Sequence, residues 1–280
     1  MPLCTLHLLS LNTPLPDFLA SLSAAALPAP PLTTARVVRW IITPTRLSAD
    51  PLLSRTWDLL LILPTPDTSL PPALSARISA RWTLTFGMPR ALLADYAAKN
   101  ARLLRDAGPP LTRALDGSAP TATSAQSLEL SGELLDWMRE FGDGETGGGR
   151  AVSMLNLLAF RAGRKDEYLA YGAAFAAGVG SRRGGVAKVV GTVVGDGGGR
   201  GVGEGRDGKR VWDEVALAHY PSIWHFADML AGEDYQAVNR RHRVGSLEDT
   251  FILCTTEVGL PTFGGDGKEK GRDGGAAAKL

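Results

Sequence analysis

Apolar runs of strand length recur along this chain, each stopped by turn or cap residues. Between residues 152 and 258 their order reads β-α-β-β-α-β. Val152–Phe160 (VSMLNLLAF) is apolar at both parities, so it predicts a strand covered on both faces. Residues 165–179 follow with helical spacing: Tyr168, Tyr171, Gly172, Phe175 and Val179 fall on one stripe. Asp166 and Glu167 occupy the first turn, where the helix dipole favours acids. Valine-rich residues 186–194 predict a second strand and residues 212–220 (WDEVALAHY) a third, ended by Pro221. Ser222 is a candidate cap for the helix beginning SIWHFADML; Gly232 interrupts that helix and EDYQAVNRRHR resumes it. Residues 247–258 (LEDTFILCTTEV) form the last strand. The pattern predicts a ferredoxin-like sandwich.

The N-terminal half repeats part of this order. Leu3–Leu11, residues 35–43 and residues 57–63 read as strands, residues 17–26 as a short helix, and Trp57-Asp58 takes the place of Trp212-Asp213. A reduced helix over 72–78 and a strand over 81–86 complete a degenerate copy; residues 89–105 and 127–141 add two helices outside it. Glycine-rich stretches at 142–149, 195–208 and 264–280 punctuate the chain. The expected division is a degenerate ferredoxin-like repeat (1–88), a helical connection with a Gly-rich linker (89–150), a ferredoxin-like α/β-barrel domain (151–260) and a disordered tail (261–280). The expected fold class is α+β: two β-α-β-β-α-β repeats packed as an α/β barrel, with additional helices between them.

At VSMLNLLAF, WDEVALAHYPS, FADML, EDYQAVNRRHR and LEDTFIL the chain resembles domain of unknown function 1330, within the dimeric α/β-barrel superfamily. The resemblance covers about residues 152–258, with 212–250 its specific part; longer fungal hypothetical proteins have a similar two-part layout. It implies two ferredoxin-like sheets packed face to face around a cleft, and carries no established catalytic residues. The N-terminal half and the glycine-rich insertion depart from the compact single-domain pattern. Sheet physics agrees with pairing, because a sheet with helices on one side leaves an apolar face that must meet another sheet. Pairing within the chain is favoured over a homodimer, since the N-terminal half can supply the second sheet.

Composition narrows the function classes. In 280 residues, 44% hydrophobic and 21% charged content is that of a soluble globular protein. The formal net charge of +1 gives no global electrostatic case for nucleic acid or an anionic membrane. Apolar runs are too short for a membrane span. The two cysteines, Cys4 and Cys254, lie in apolar runs and read as reduced core thiols, with a cytoplasmic location expected.

Polar residues inside apolar strands are the candidates for chemistry. Asn156, Lys188 and His219 are expected to line the cleft, because a lysine fits poorly beneath a helix. His219 is the candidate general base, and Lys188 would hold an anionic or enolate oxygen. The alternative is a strand-end histidine that is solvated or hydrogen-bonded structurally. Tyr235 and Arg240 are candidate ligand-binding residues, the arginine as a carboxylate clamp; equally, cations there complement a helix C-terminus. His219 and His225 lack a third metal ligand at suitable spacing, so neither metal nor cofactor is expected. A haem-binding barrel with His219, His225 or His242 as axial ligand is a further alternative. GRGVGEG lacks the context of a phosphate loop and reads as a hairpin insertion. Two functions remain open: a cleft binding a small hydrophobic ligand and acting on an apolar or aromatic carbonyl compound, or a non-catalytic binding or assembly module.

Overall fold

A strand that is apolar at both parities needs cover on both sides, and a closed barrel wrapped by helices supplies it. The computed structural model describes residues 1–112, 114–115, 121–145, 147–195 and 211–260. The first half comprises β1 (Leu3–Leu11), α1 (Leu15–Ala24), β2 (Thr33–Ile42), α2 (Ala49–Leu53), β3 (Leu59–Leu63), α3 (Pro72–Ser75) and β4 (Ile78–Gly87). Helices α4 (Arg90–Ala94), α5 (Tyr96–Arg105) and α6 (Gly132–Asp143) lie in the connection. The second half comprises β5 (Val152–Phe160), α7 (Lys165–Ala174), β6 (Val186–Gly195), β7 (Glu214–Tyr220), α8 (Ile223–Ala231), α9 (Glu233–Val238) and β8 (Leu247–Glu257). The glycine-rich residues 196–208 and the predicted tail 261–280 lie outside the described residues.

The eight strands close one barrel in the order β1-β3-β2-β8-β5-β7-β6-β4. Every pairing is antiparallel. Within each half the spatial order is fourth, first, third, second strand. The halves join along β2–β8 and β4–β6, so the cover for each sheet's inner face comes from the same chain. Leu6, Leu8, Leu60, Ile62, Leu155, Leu157, Val215, Leu217 and Leu253 are fully buried in the interior cluster. At its centre Phe251 meets three tryptophans edge-on, with ring centroids 5.3 Å from Trp40, 6.3 Å from Trp82 and 5.4 Å from Trp212. Two of these rings come from the first half and one from the second, so the aromatic cluster ties the sheets together.

Two helix layers cover the outside. Leu9, Leu59, Leu61 and Leu63 of the first half pack against Phe18, Leu19, Leu22 and Leu74 from α1 and α3. Met154, Tyr220 and Ile252 pack against Tyr171 from α7 and Phe226 and Met229 from α8. Cys4 lies in the barrel cluster and Cys254 in the outer layer; both are free thiols.

The Trp-Asp pairs play the same part in both halves. Asp58 Oδ2 accepts the Leu11 N–H at 2.7 Å, and Asp213 Oδ2 accepts the Phe160 N–H at 2.7 Å. Each carboxylate thus satisfies the last amide of its half's first strand. Trp57 and Trp212 beside them are buried. Trp57 donates from Nε1 to Leu52 O at 2.8 Å, which anchors α2.

Three local expectations are corrected. The helix expected over 89–105 breaks at Asp95 into α4 and α5, and the short α2 has no counterpart in the pattern. The helix over 165–179 ends as a π-helical turn, Phe175–Val179. Ser222 does not cap α8 through its side chain; its hydroxyl pairs with His225 Nδ1 at 2.8 Å. Replacing Phe251 with Ala is expected to destabilise the protein by about 3–5 kcal/mol, since it empties the ring on which three tryptophans converge. Urea unfolding measures this; a loss below about 1 kcal/mol would contradict a central role for the cluster.

Candidate functional site

The outer faces of the two halves share a register but not a filling. In the first half Thr5, His7 and Leu9 of β1 stand opposite Leu63, Leu61 and Leu59 of β3. In the second, Met154, Asn156 and Leu158 of β5 stand opposite Ala218, Ala216 and Glu214 of β7. Two leucines are replaced by alanine and one by glutamate. The overlying α7 is also thin, with Gly172 and Ala173 on the facing side and Ala176 in the π-helical turn. The result is a cavity of about 570 Å³ between α7 and the outer face of β5, β6 and β7. That volume suits a small organic molecule. Tyr168, Tyr171, Phe175, Tyr220 and Phe226 supply aromatic walls, Val190, Ala216 and Ala218 an apolar floor, and exposed Leu169 lies on its edge.

Polar groups are few and specific. Asn156 Nδ2 donates to Met154 O at 2.9 Å. Glu214 is the one carboxylate among the described lining residues, its side chain 11% exposed. Burial raises the Glu214 carboxyl above the ordinary range, Lys165 at 3.9 Å opposes this, and Asp213 adds to it. Burial also raises the hydroxyls of Tyr168, Tyr171, Tyr220 and Tyr235, so all four remain neutral. The Tyr171 and Tyr235 hydroxyls are 3.0 Å apart. Arg243 is 2% exposed behind this group, and its charge opposes the rise at each tyrosine. It belongs to a second π-helical turn, Asn239–Arg243. Widened turns of this kind often accompany functional sites.

The expected site residues divide among three places. Asn156 lines the cavity, and Tyr235 touches it through Tyr171. Lys188 and His219 do not join them. His219 shares its face with barrel-lining Leu217 and Val215, whereas Asn156 lies opposite Ala216 on the other face, so one cleft cannot hold all three. Lys188 sits at a β-bulge between Ala187 and Val189 at one end of the barrel, 1% exposed. It pairs with Glu257 and donates to Asn100 Oδ1 at 3.0 Å, while Asn100 Nδ2 donates to Glu257 Oε2 at 2.8 Å. Burial pulls the Lys188 ammonium down and the Glu257 carboxylate holds it up. Tyr96, one turn before Asn100 on α5, pairs with Thr33 Oγ1 at 2.6 Å, so α5 closes this end of the barrel. Arg240 is on the surface, 3.6 Å from Glu129, and clamps nothing in the cavity. His225 is buried, with Nε2 at 2.9 Å from Pro109 O and Nδ1 on Ser222, so both ring nitrogens have structural partners.

Sequence reasoning passed over Glu214 and His7, and it did not separate Arg243 from the neighbouring cations. Glu214 had a legible signal: an acid sharing strand parity with Ala216 and Ala218. Arg243 was one of several cations in NRRHR, and a regular helical projection does not single it out, because the π-helical turn shifts the register. His7 lies under the first half's helices, fully buried, with Nδ1 2.9 Å from Thr83 Oγ1.

Two buried histidines make stability depend on pH. Burial, then Arg81, lowers the His7 imidazole to about 4 against an opposing Asp67. Burial, then Lys188, lowers His219 to about 4. Both are neutral in the fold and ionise near 6.5 when unfolded, so the unfolded chain binds more protons between those values. Stability is therefore fully present above pH 6.5 and falls as pH drops toward 4. Each residue contributes on the order of 3 kcal/mol to that fall. Urea unfolding at pH 7 and pH 4.5 should show a smaller pH difference for His219→Leu than for wild type; equal differences would contradict the neutral buried imidazole.

No family model matches the chain, and no curated protein matches it. About half of the chain is similar to solved structures, among them two proteins of the same name. One is a methylated RPA0582 protein, 24% identical, with TM-score 0.34, covering 48% of this chain and 96% of its own. The other is the RPA0582 protein of unknown function from Rhodopseudomonas palustris, 24% identical, with TM-score 0.33, covering 49% of this chain and 97% of its own. Among the described residues no helix is long and apolar enough to cross a membrane.

Proposed function

We propose that the protein binds a small, largely apolar or aromatic molecule with one polar oxygen, in the cavity between α7 and the outer face of the second half's sheet. The observation that carries this is the emptied layer: Ala216 and Ala218 stand where the first half has Leu61 and Leu63, beneath a helix with Gly172 and Ala173. Cavities of this size in a close-packed interior need a reason, because unfilled space forfeits dispersion contacts. A partner-docking or assembly module would be served equally well by the leucine filling found in the first half. Haem is not the reading this cavity favours, because no histidine is among its described lining residues.

The same reading takes the two halves as ferredoxin-like repeats, with the first degenerate, as the superfamily resemblance to domain of unknown function 1330 implies. The matching strand order, matching β1–β3 and β5–β7 registers, and matching Asp58 and Asp213 contacts support it. Closure of the barrel inside one chain supports intrachain pairing over a homodimer. The free buried thiols fit a reducing cytoplasm.

Binding of 2-tetralone, followed by quenching of intrinsic fluorescence, tests the proposal. The wild type is expected to bind with a Kd of about 1 mM or tighter, in line with a preformed pocket for a fragment. Ala216→Leu, which restores the first half's residue, is expected to weaken binding by tenfold or more while the protein stays folded by circular dichroism. Equal binding by the two proteins, or none by the wild type, would overturn the reading.

A further inference from the structure

Among the described residues, the other buried acids, Asp228 and Asp249, and the half-buried Asp58, Asp213 and Glu257 all have donors. Asp58 and Asp213 each accept a strand amide, at 2.7 Å in both cases. Asp228 accepts Thr112 N–H at 3.0 Å and Ala114 N–H at 3.1 Å. Asp249 accepts Arg46 N–H at 2.8 Å and Leu47 N–H at 2.7 Å. Glu257 is held by Lys188 and Asn100. These carboxylates are structural, each satisfying backbone or side-chain donors at the end of a strand or loop.

Glu214 breaks the pattern. It is 8% exposed, yet neither oxygen accepts a hydrogen bond from any described residue. Among the described residues its one charged neighbour within ion-pair range is Lys165, whose Nζ stands 3.9 Å from Oε2, beyond hydrogen-bond reach, and is half exposed. A desolvated carboxylate without donors is costly to stability. Here it lies on an apolar cavity floor beside Ala216, two residue pairs along the β5–β7 ladder from Asn156 and on the same face. Tyr168 lines the same space, and its hydroxyl, which accepts a hydrogen bond from Arg243 and so keeps its own proton to donate, is near enough for the Glu214 charge to act on it.

Resting on the cavity reading above, we infer that Glu214 is a catalytic base that removes a proton from the carbon next to a carbonyl in the bound molecule. The carboxylate takes the α-proton. The C–H electron pair becomes the new C=C bond, and the carbonyl π pair moves to oxygen. The resulting enolate oxygen accepts a hydrogen bond from the neutral Tyr168 hydroxyl. The Glu214 carboxylic acid, its side chain 11% exposed, exchanges its proton with solvent and returns one to the same or a conjugated carbon, which closes the cycle with no oxidant, reductant or co-reactant. A poorly solvated carboxylate is a stronger base than one in water, and the apolar walls keep water from competing for the carbanion. The substrate class is an aromatic or alicyclic ketone with an activated α-CH. In this scheme Glu214 takes the part that sequence parity offered to His219.

The experiment uses the full chain and 2-tetralone in deuterated buffer at neutral pH, with loss of the α-proton signals followed by NMR. Binding is measured in parallel by fluorescence quenching. The wild type is expected to speed exchange at least tenfold over buffer. Glu214→Gln should bind within threefold of wild type and exchange at the buffer rate, and Tyr168→Phe should bind and exchange more slowly than wild type. Binding without accelerated exchange, or unchanged exchange in Glu214→Gln, overturns the inference and leaves the binding site standing. Failure of the wild type to bind removes the cavity reading, and this inference with it.

Discussion

Strands that are greasy on both sides set the terms for everything else in this molecule. β1, β3 and β5 each bury leucine, valine or methionine toward two opposite directions. Helices can shelter one direction only, because the connections run over that face. The remaining face needs a second sheet, and closure with strands from the other half leaves no edge exposed. The Phe251 cluster and the β2–β8 seam then hold the two sheets in one arrangement. The helix layers, and the cavity under α7, are positioned by that closure.

Much of this architecture was legible from alternation and punctuation. VSMLNLLAF declared its double burial directly, LCTLHLLSL read as a strand, and the Trp-Asp pairs marked corresponding points of the two halves. α5 was legible as helix but not as a barrel cap, because Tyr96 and Asn100 acquire their meaning only through Thr33, Lys188 and Glu257, which are distant in sequence. The break at Asp95 and the π-helical turns depend on tertiary packing that a periodic reading does not contain.

The site was less legible than the fold, for a definite reason. Parity sorts residues into two faces but does not name them. Lysine in a strand suggested a solvated cleft, yet Lys188 is accommodated in a dry barrel end by an ion pair and an amide. The β-bulge at that point also breaks the parity on which the inference depended. Asn156 and Glu214 carried a readable signal, polar side chains amid alanine, but only comparison with the leucines of β3 turns alanine from a neutral filler into missing volume.

Joining both sheets in one polypeptide has a consequence of its own. In an assembly of identical subunits, every substitution appears twice, and hollowing one outer layer hollows the other. Here each layer is encoded separately, so one can remain a solid buttress while its counterpart is hollowed into a chamber. The leucine-filled side keeps the packing that the open side lacks.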